Sequence, residues 1–376
     1  MKILDHKIIY REKRFHAAFP SIVRCSDDKL LLAFRRARDG LWLIPEEKRK
    51  DIDVFNRMDH IDSRSHIVLM ELDASGEKQD AEPDMLPIDP EAADQYGALL
   101  SLPDDKIFMS SFSWYPLPSD SVAHLAGRVP PGEQYVGCRY LYWGSHTSLR
   151  ERASGKWITH HRYILPDGGY GRTLSPDDSK ALVAPVGGKA CWVNGKILLA
   201  LYGGVKEGCA LFESADSGET WRYRSLIARD ESGKITFQEP ALCEDGRGGL
   251  VCFMRTAGAD GRLATSRSKD GVQWSEPKLH DLIGHPFHPL QLTDGSVLLS
   301  YGYRAAPYGI RARLLADPLT NPDEVEEVVI REDGLCPDIG YPWGVELRDG
   351  RVLLCYYWTD AEGIRHIVGT WLELND

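Results

Sequence analysis

Glu239, Arg255 and Tyr341 are the residues whose types and positions could do chemistry. Glu239 opens the segment EPALCEDGRGGLVCFMR and Arg255 closes it, so a carboxylate and a guanidinium begin and end one hairpin. A buried arginine at such a place needs an anionic partner. Tyr341 opens YPWGVELRDGRVLLCYYW, directly after Asp-Ile-Gly, at the start of a strand. A phenol keeps its proton up to a pH of about 10, so it becomes a nucleophile only with a base beside it. Arg304 and Arg311, in YGYRAAPYGIRARLLAD, add two permanent cations whose fork geometry suits a carboxylate. His16, His60, His285 and His288 add groups able to move protons near neutral pH. Their spacing is neither helical nor that of a short metal-ligand motif, so no metal or cofactor is expected.

The elements that must position these residues are written in a repeated phrase: an apolar strand, a tight polar turn, a second apolar strand. It reads PSIVRCSDDKLLLAFRR from Pro20, GALLSLPDDKIFMSSFSW from Gly97, KACWVNGKILLALYGG from Lys189, then the copies from Glu239, from His288 (HPLQLTDGSVLLSYGYR) and from Tyr341. Asp-Gly and Asn-Gly links supply the positive φ values that tight hairpins require, and a fixed phrase at long regular intervals marks a repeat architecture. Six hairpins, each with room for two more strands, predict an all-β fold: a six-bladed β-propeller forming one domain over residues 1–376. The strand KIIYRE from Lys7 precedes the first hairpin and HIVGTWLEL from His366 is a third strand, so the two are expected to complete the last blade together.

Two segments, SADSGETW from Ser214 and SRSKDGVQW from Ser266, read as turns in which Ser and Asp accept from backbone N–H groups, Gly takes the left-handed corner and Trp packs beneath. Weaker versions stand at Leu72 (LDASGE) and Glu151 (ERASGKW). All of these are expected to be structural. Two long insertions, ARDGLWLIPEEKRKDIDVFNRMDHID and much of the stretch between Trp114 and Ala190, are where binding groups would sit on a rigid scaffold.

Composition narrows the function classes. Hydrophobic residues make up 43% and the net charge is −11, which argues against nucleic acid or a membrane surface as partner while leaving room for local arginines to hold an anion. No run approaches the roughly 20 apolar residues of a membrane helix. MKILDHKIIYREKRF is too charged for a signal peptide, which points to the cytoplasm. Of eight cysteines, Cys25, Cys191, Cys243, Cys252 and Cys355 fall inside apolar strand runs and none forms a CxxC pair, so reduced, buried thiols are expected.

SADSGETW is similar to the Asp-box of the sialidase superfamily, and the hairpin count is that of the sialidase propeller. AFPSIVRCSDDKLLLAFRRAR resembles the family's opening segment, FQEPALCEDGRGGLVCFMR the segment of its catalytic Glu and second arginine, YGYRAAPYGIRARLLAD that of its third arginine, and DIGYPWGVELRDGRVLLCYYW that of its tyrosine nucleophile. The resemblance implies a retaining exo-glycoside hydrolase acting on a terminal acidic sugar of a glycan or oligosaccharide. Tyr341 would be its nucleophile, Glu239 the base that activates it, and Arg255 with Arg311 or Arg304 the carboxylate clamp. It implies an acid on the loop after the first hairpin, at Asp62 or Asp59. A neutral phenol suits a substrate that bears a carboxylate at its anomeric carbon, because a carboxylate nucleophile would repel it.

One position departs from the family. Ala18-Phe19-Pro20 stands where an Arg-Ile-Pro motif is expected, so the first arginine is absent, and Arg38 is the nearest replacement. The four histidines resemble instead the sites of propeller-fold lyases that act on uronate-containing glycans. There His or Tyr takes the proton beside the carboxylate and Arg stabilises the enolate. A carbohydrate-binding propeller without catalysis is the third alternative. Trp42, Trp114, Trp143 and Trp343 are of a type that stacks on sugars, although most tryptophans in this fold are packing residues.

Overall fold

The computed structural model describes residues 1–38, 47, 64–78, 82–87, 93–118, 134–135, 138–151, 156–160, 188–203 and 208–374. Asp59, His60, Asp62 and Trp42 lie outside them, as does most of the first long insertion. After β1 (Lys2–Tyr10), the first sheet holds β2 (Phe15–Arg24), β3 (Leu30–Arg38), β4 (His66–Leu72) and β5 (Asp84–Met85). The second holds β6 (Ala93–Ser101), β7 (Lys106–Pro118), β8 (Gln134–Tyr135), β9 (Cys138–Glu151) and β10 (Lys156–His160). Next come β11 (Cys191–Val193), β12 (Lys196–Gly203), β13 (Gly208–Ser214) and β14 (Arg222–Ala228), followed by β15 (Thr236–Glu244), β16 (Leu250–Ala257), β17 (Arg262–Ser268) and β18 (Lys278–Ile283). The fifth sheet is β19 (Phe287–Gln291), β20 (Val297–Tyr303), β21 (Tyr308–Leu315) and β22 (Val328–Gly334). The last three strands, β23 (Gly340–Glu346), β24 (Val352–Thr359) and β25 (Arg365–Glu373), take β1 as their outer partner.

Each of the six expected hairpins is the first antiparallel pair of its sheet. Their turns use the left-handed backbone foreseen from Asp, Asn and Gly: Asp28, Asp104, Asp105, Asn194, Gly195, Gly295 and Gly350 all have positive φ. First strands of successive sheets touch: β2 meets β6, β11 meets β15, β15 meets β19, β19 meets β23, and β23 returns to β2. These neighbouring inner strands, with the apolar layer between β7 and β12 that joins the second sheet to the third, make the fold a β-propeller. The expectation of six four-stranded blades is corrected: five sheets are four-stranded blades, and the β6–β10 sheet does not make a regular sixth, because the short β8 pairs β9 outside the main order β10-β9-β7-β6.

Apolar side chains fill the spaces between neighbouring sheets. Tyr10, Phe34, Val68, Leu353, Ile367 and Trp371 form the layer joining the first sheet to the last, and Val251, Phe253, Phe287, Leu299 and Tyr301 join the fourth to the fifth. Removing such surface from water stabilises by roughly 25 cal/mol per Å². In the Ser214 turn, Ser214 Oγ donates to Asp216 Oδ1 and accepts from Gly218 N–H, each at 2.8 Å, while Thr220 N–H donates to Asp216 Oδ1 at 2.8 Å. Trp221 is buried beneath and donates its Nε1–H to Gly218 O at 3.1 Å. Asp270 repeats the pattern, accepting from Val272 and Gln273 N–H. The seven described cysteines are free thiols and all but Cys25 are buried; burial pushes the Cys191 thiol up to about 12. Among the described residues no helix is long and apolar enough to cross a membrane.

Candidate active site

Three of the inner strands share one local irregularity. The β2–β3 ladder slips between Ala18 and Ser21, the β15–β16 ladder between Gln238 and Ala241, and the β23–β24 ladder between Gly340 and Trp343. Each slip contains a residue followed by proline: Phe19-Pro20, Glu239-Pro240 and Tyr341-Pro342. Proline has no N–H for a ladder bond, so a bulge is one of the few places in a sheet that suit it, and a bulge re-aims the neighbouring side chain. The residue before each proline has positive φ, 56° at Phe19, 50° at Glu239 and 51° at Tyr341. Bulky side chains hold this backbone at a cost of about 1–3 kcal/mol each, and such strain collects at functional sites.

The bulges bring Glu239 and Tyr341 together although they lie 102 positions apart in the chain. Tyr341 Oη donates a hydrogen bond to Glu239 Oε1. Arg255 Nη1 donates to the other carboxylate oxygen, Oε2, at 3.1 Å. Glu239 is 5% exposed and Tyr341 is half-buried. Burial, then the Glu239 charge, pushes the Tyr341 phenol well above its ordinary value, with Arg255 and Arg304 pulling the other way. The resting phenol is therefore neutral and is the donor. Burial works against the Arg255 charge, but Glu239 and Tyr341 outweigh it and hold the guanidinium above its ordinary pKa.

Arg304 lies over the Tyr341 ring, its Cζ 5.6 Å from the centroid. Aromatic rings wall the phenol: Phe19 at 4.6 Å, Tyr357 at 6.1 Å and Tyr96 at 6.3 Å between centroids. The chain approaches itself closely here. A Cβ on Gly302 would stand 2.6 Å from the His285 carbonyl oxygen, and Gly340, at φ +118°, faces the Gly302 Cα. Glycine at both places lets β20 and the start of β23 touch and sets Tyr341 beside Arg304.

The remaining expected residues are placed as follows. His285 is half-buried beside Arg255 and Arg304; burial first, then those two charges, pushes its pKa down to about 3. His288 is buried on β19, its ring 4.4 Å from that of Trp343, with both nitrogens unpartnered, and burial pushes it well below its ordinary value. His16 is buried on β2 with Nε2 3.8 Å from Asp338 Oδ2. Arg311 is buried on β21 and is engaged elsewhere: Nη1 donates to Arg331 O at 2.9 Å, and Glu327 and Glu332 lie 3.6 Å away. Of the two candidates for a third cation, Arg304 is the one beside Tyr341. Arg38 ends β3 and is exposed, and Ala18 is fully buried. Tyr96, Asp338 and Tyr357 were not singled out from the sequence; CYYWT reads there only as an apolar strand, and Asp338 only as a loop residue before Tyr341.

No family model matches the sequence, and no curated protein matches it. Solved structures do. A protein of unknown function from Dyadobacter fermentans is 30% identical with a TM-score of 0.84, the match covering 100% of this chain and 99% of that one. The NanB sialidase from Streptococcus pneumoniae is 14% identical, with a TM-score of 0.63 over 98% of this chain and 70% of that one. The intramolecular trans-sialidase from Ruminococcus gnavus is 14% identical, with a TM-score of 0.59 over 98% and 97%. At 14% identity the likeness to the two sialidases is one of fold.

Proposed function

The chain belongs to the same family as the Dyadobacter fermentans protein of unknown function, and from its site we propose that it is a glycoside hydrolase of sialidase type. It removes a terminal acidic sugar from a glycan or oligosaccharide, on a single-domain, six-bladed ring whose β6–β10 sheet serves as one blade. The observation that carries this reading is the hydrogen bond from Tyr341 Oη to Glu239, formed by two strained bulges that serve no ladder.

In the first step Tyr341 Oη attacks the anomeric carbon while its proton passes to Glu239, and the aglycone oxygen leaves with a proton from an acid, Asp62 or Asp59 by family resemblance. In the second step water, losing a proton to that same residue, displaces the tyrosyl oxygen, which recovers its proton from Glu239. Two displacements retain the anomeric configuration. Arg255 and Arg304 hold the substrate carboxylate. The neutral resting phenol can approach that carboxylate without repulsion, and the buried Glu239 takes the proton only as the C–O bond forms.

Elimination is less well supported, because an imidazole whose conjugate acid has a pKa of about 3 is a weak base and His285 is so tuned. His288 and His16 are buried. The test is mass spectrometry of sialylated and uronate-containing oligosaccharide pools incubated with the protein. Release of a free acidic sugar with one added water, abolished in Tyr341→Phe, is the expected result. A product with a new double bond would replace this reading by a lyase. Undiminished hydrolysis by Tyr341→Phe would end the nucleophile assignment, and saturable binding without turnover would indicate a carbohydrate-binding propeller.

A further inference from the structure

Arg304 does not stand over Tyr341 by packing alone. Its Nε donates to Ile339 O at 3.0 Å and its Nη2 to Tyr357 Oη at 2.6 Å. Tyr357 Oη in turn donates to Asp338 Oδ1 at 2.7 Å. Asp338 is itself fixed: Arg365 Nε, on a fully buried side chain, donates to Oδ2 at 3.0 Å, and the Asp338 carbonyl accepts from Thr359 Oγ1 at 2.9 Å. Arg304 directly follows β20 and Tyr357 belongs to β24, so the chain of bonds crosses from one sheet to the next. Tyr357 is 1% exposed, and a buried phenol bonded to a guanidinium on one side and a carboxylate on the other has one stable orientation.

We propose that Asp338 and Tyr357 are positioning residues that hold the Arg304 guanidinium over the Tyr341 ring and leave its Nη1 edge for the substrate's anionic group. Without them the arginine would gain rotameric freedom and lose the geometry a bidentate grip requires. The site then contains two phenol–carboxylate pairs of unlike duty, 6.1 Å apart by ring centroids. Tyr341 with Glu239 exchanges a proton, whereas Tyr357 with Asp338 keeps its proton and orients a cation. Burial, before any other cause, pushes the Tyr357 phenol well above its ordinary value, in keeping with a hydroxyl that does not ionise.

The activity arm of the test rests on the hydrolase reading; the structural arm does not. Tyr357→Phe removes one hydroxyl and keeps the ring, so the fold should survive. In its crystal structure Arg304 is expected to leave its place over Tyr341, and Asp338→Asn should displace it too. With the acidic sugar released as readout, Tyr357→Phe should lower kcat/KM about tenfold, the order of effect of a misaligned binding group. Combined with Arg304→Met it should cost nothing further, since residues that act through one another are not additive. A merely structural Tyr357 would instead multiply the loss of Arg304→Met. The proposal is overturned if Arg304 keeps its place in both single variants, or if the two losses multiply. Displacement of Arg304 in a protein whose Tyr341→Phe variant still turns over would retain the relay and remove the hydrolase mechanism.

Discussion

Glu239 has two obligations, accepting from Tyr341 on Oε1 and from Arg255 on Oε2. Glu239→Gln keeps the size but exchanges an ionised acceptor for an amide that cannot take the phenol's proton. Steady-state kinetics should show kcat reduced about 10²–10⁴-fold, the usual worth of a positioned general base, with KM changed far less. A raised KM with kcat unchanged would mean that Glu239 binds substrate rather than moving a proton. His285 permits a separate test that needs no substrate. Its pKa is about 3 in the folded chain against 6.5 in an unfolded one, so on acidification the unfolded state takes up a proton that the folded state refuses. Stability is therefore lost as pH falls from 6.5 towards 3 and regained as it rises. Urea midpoints measured between about pH 7 and about pH 5 should fall less steeply in His285→Gln than in the parent chain. An unchanged slope would show that the imidazole is free to ionise.

At the scale of elements, two turn designs divide the work. Pro20, Pro240 and Pro342 enforce bulges that spend stability to aim side chains, while the Ser-Asp-Gly-Trp turns do the opposite. Asp216 accepts from Thr220 N–H and from Ser214 Oγ, and Trp221 closes the loop from below. Asp216→Ala should lower unfolding stability by about 1–3 kcal/mol, the cost of leaving bonded donors unpaired, and leave kcat/KM alone. Loss of activity with stability unchanged would move this turn into the functional machinery. The same division decides what could be read from the sequence. Hairpins were legible because Asp-Gly and Asn-Gly turns and apolar alternation are local signals. Glu239, Arg255 and Tyr341 were legible because they stand at hairpin ends. Phe19, at the same bulge position as the other two, was passed over because its side chain carries no acid, base or charge, and nothing local shows the shared positive φ before proline. Arg304 could not be separated from Arg311 because one follows β20 and the other lies in β21, and no local pattern says which of them reaches the next sheet. Tyr357 and Asp338 meet only through a pairing 19 positions apart, for which no local pattern exists.

The whole molecule is a ring, and a ring is held at its seam. β1 lies antiparallel to β25 from Lys2 opposite Glu373 to Tyr10 opposite Ile367, so the first strand of the chain is the outer strand of the sheet that also carries Tyr341 and Tyr357. Ile9 and Tyr10 are buried in the layer that joins this sheet to the first one, next to Phe34, Trp343 and Trp371. Removing β1 would therefore expose the unpaired edge of β25 and open the apolar layer behind the site, and bare edges recruit other chains. A chain lacking residues 1–10 should unfold at lower temperature, self-associate in size-exclusion chromatography and lose turnover, although none of the removed residues hydrogen-bonds to Tyr341 or Glu239 among the described contacts. A peptide of sequence KILDHKIIY, added in excess, should reverse the self-association and restore part of the activity by mass action. If the shortened chain elutes as the parent does and stays active, the seam contributes nothing to the geometry of the site. The blades adjoining it would then be held by the contacts of β2 with β23, β24 and β25 and by the apolar layer between the two sheets.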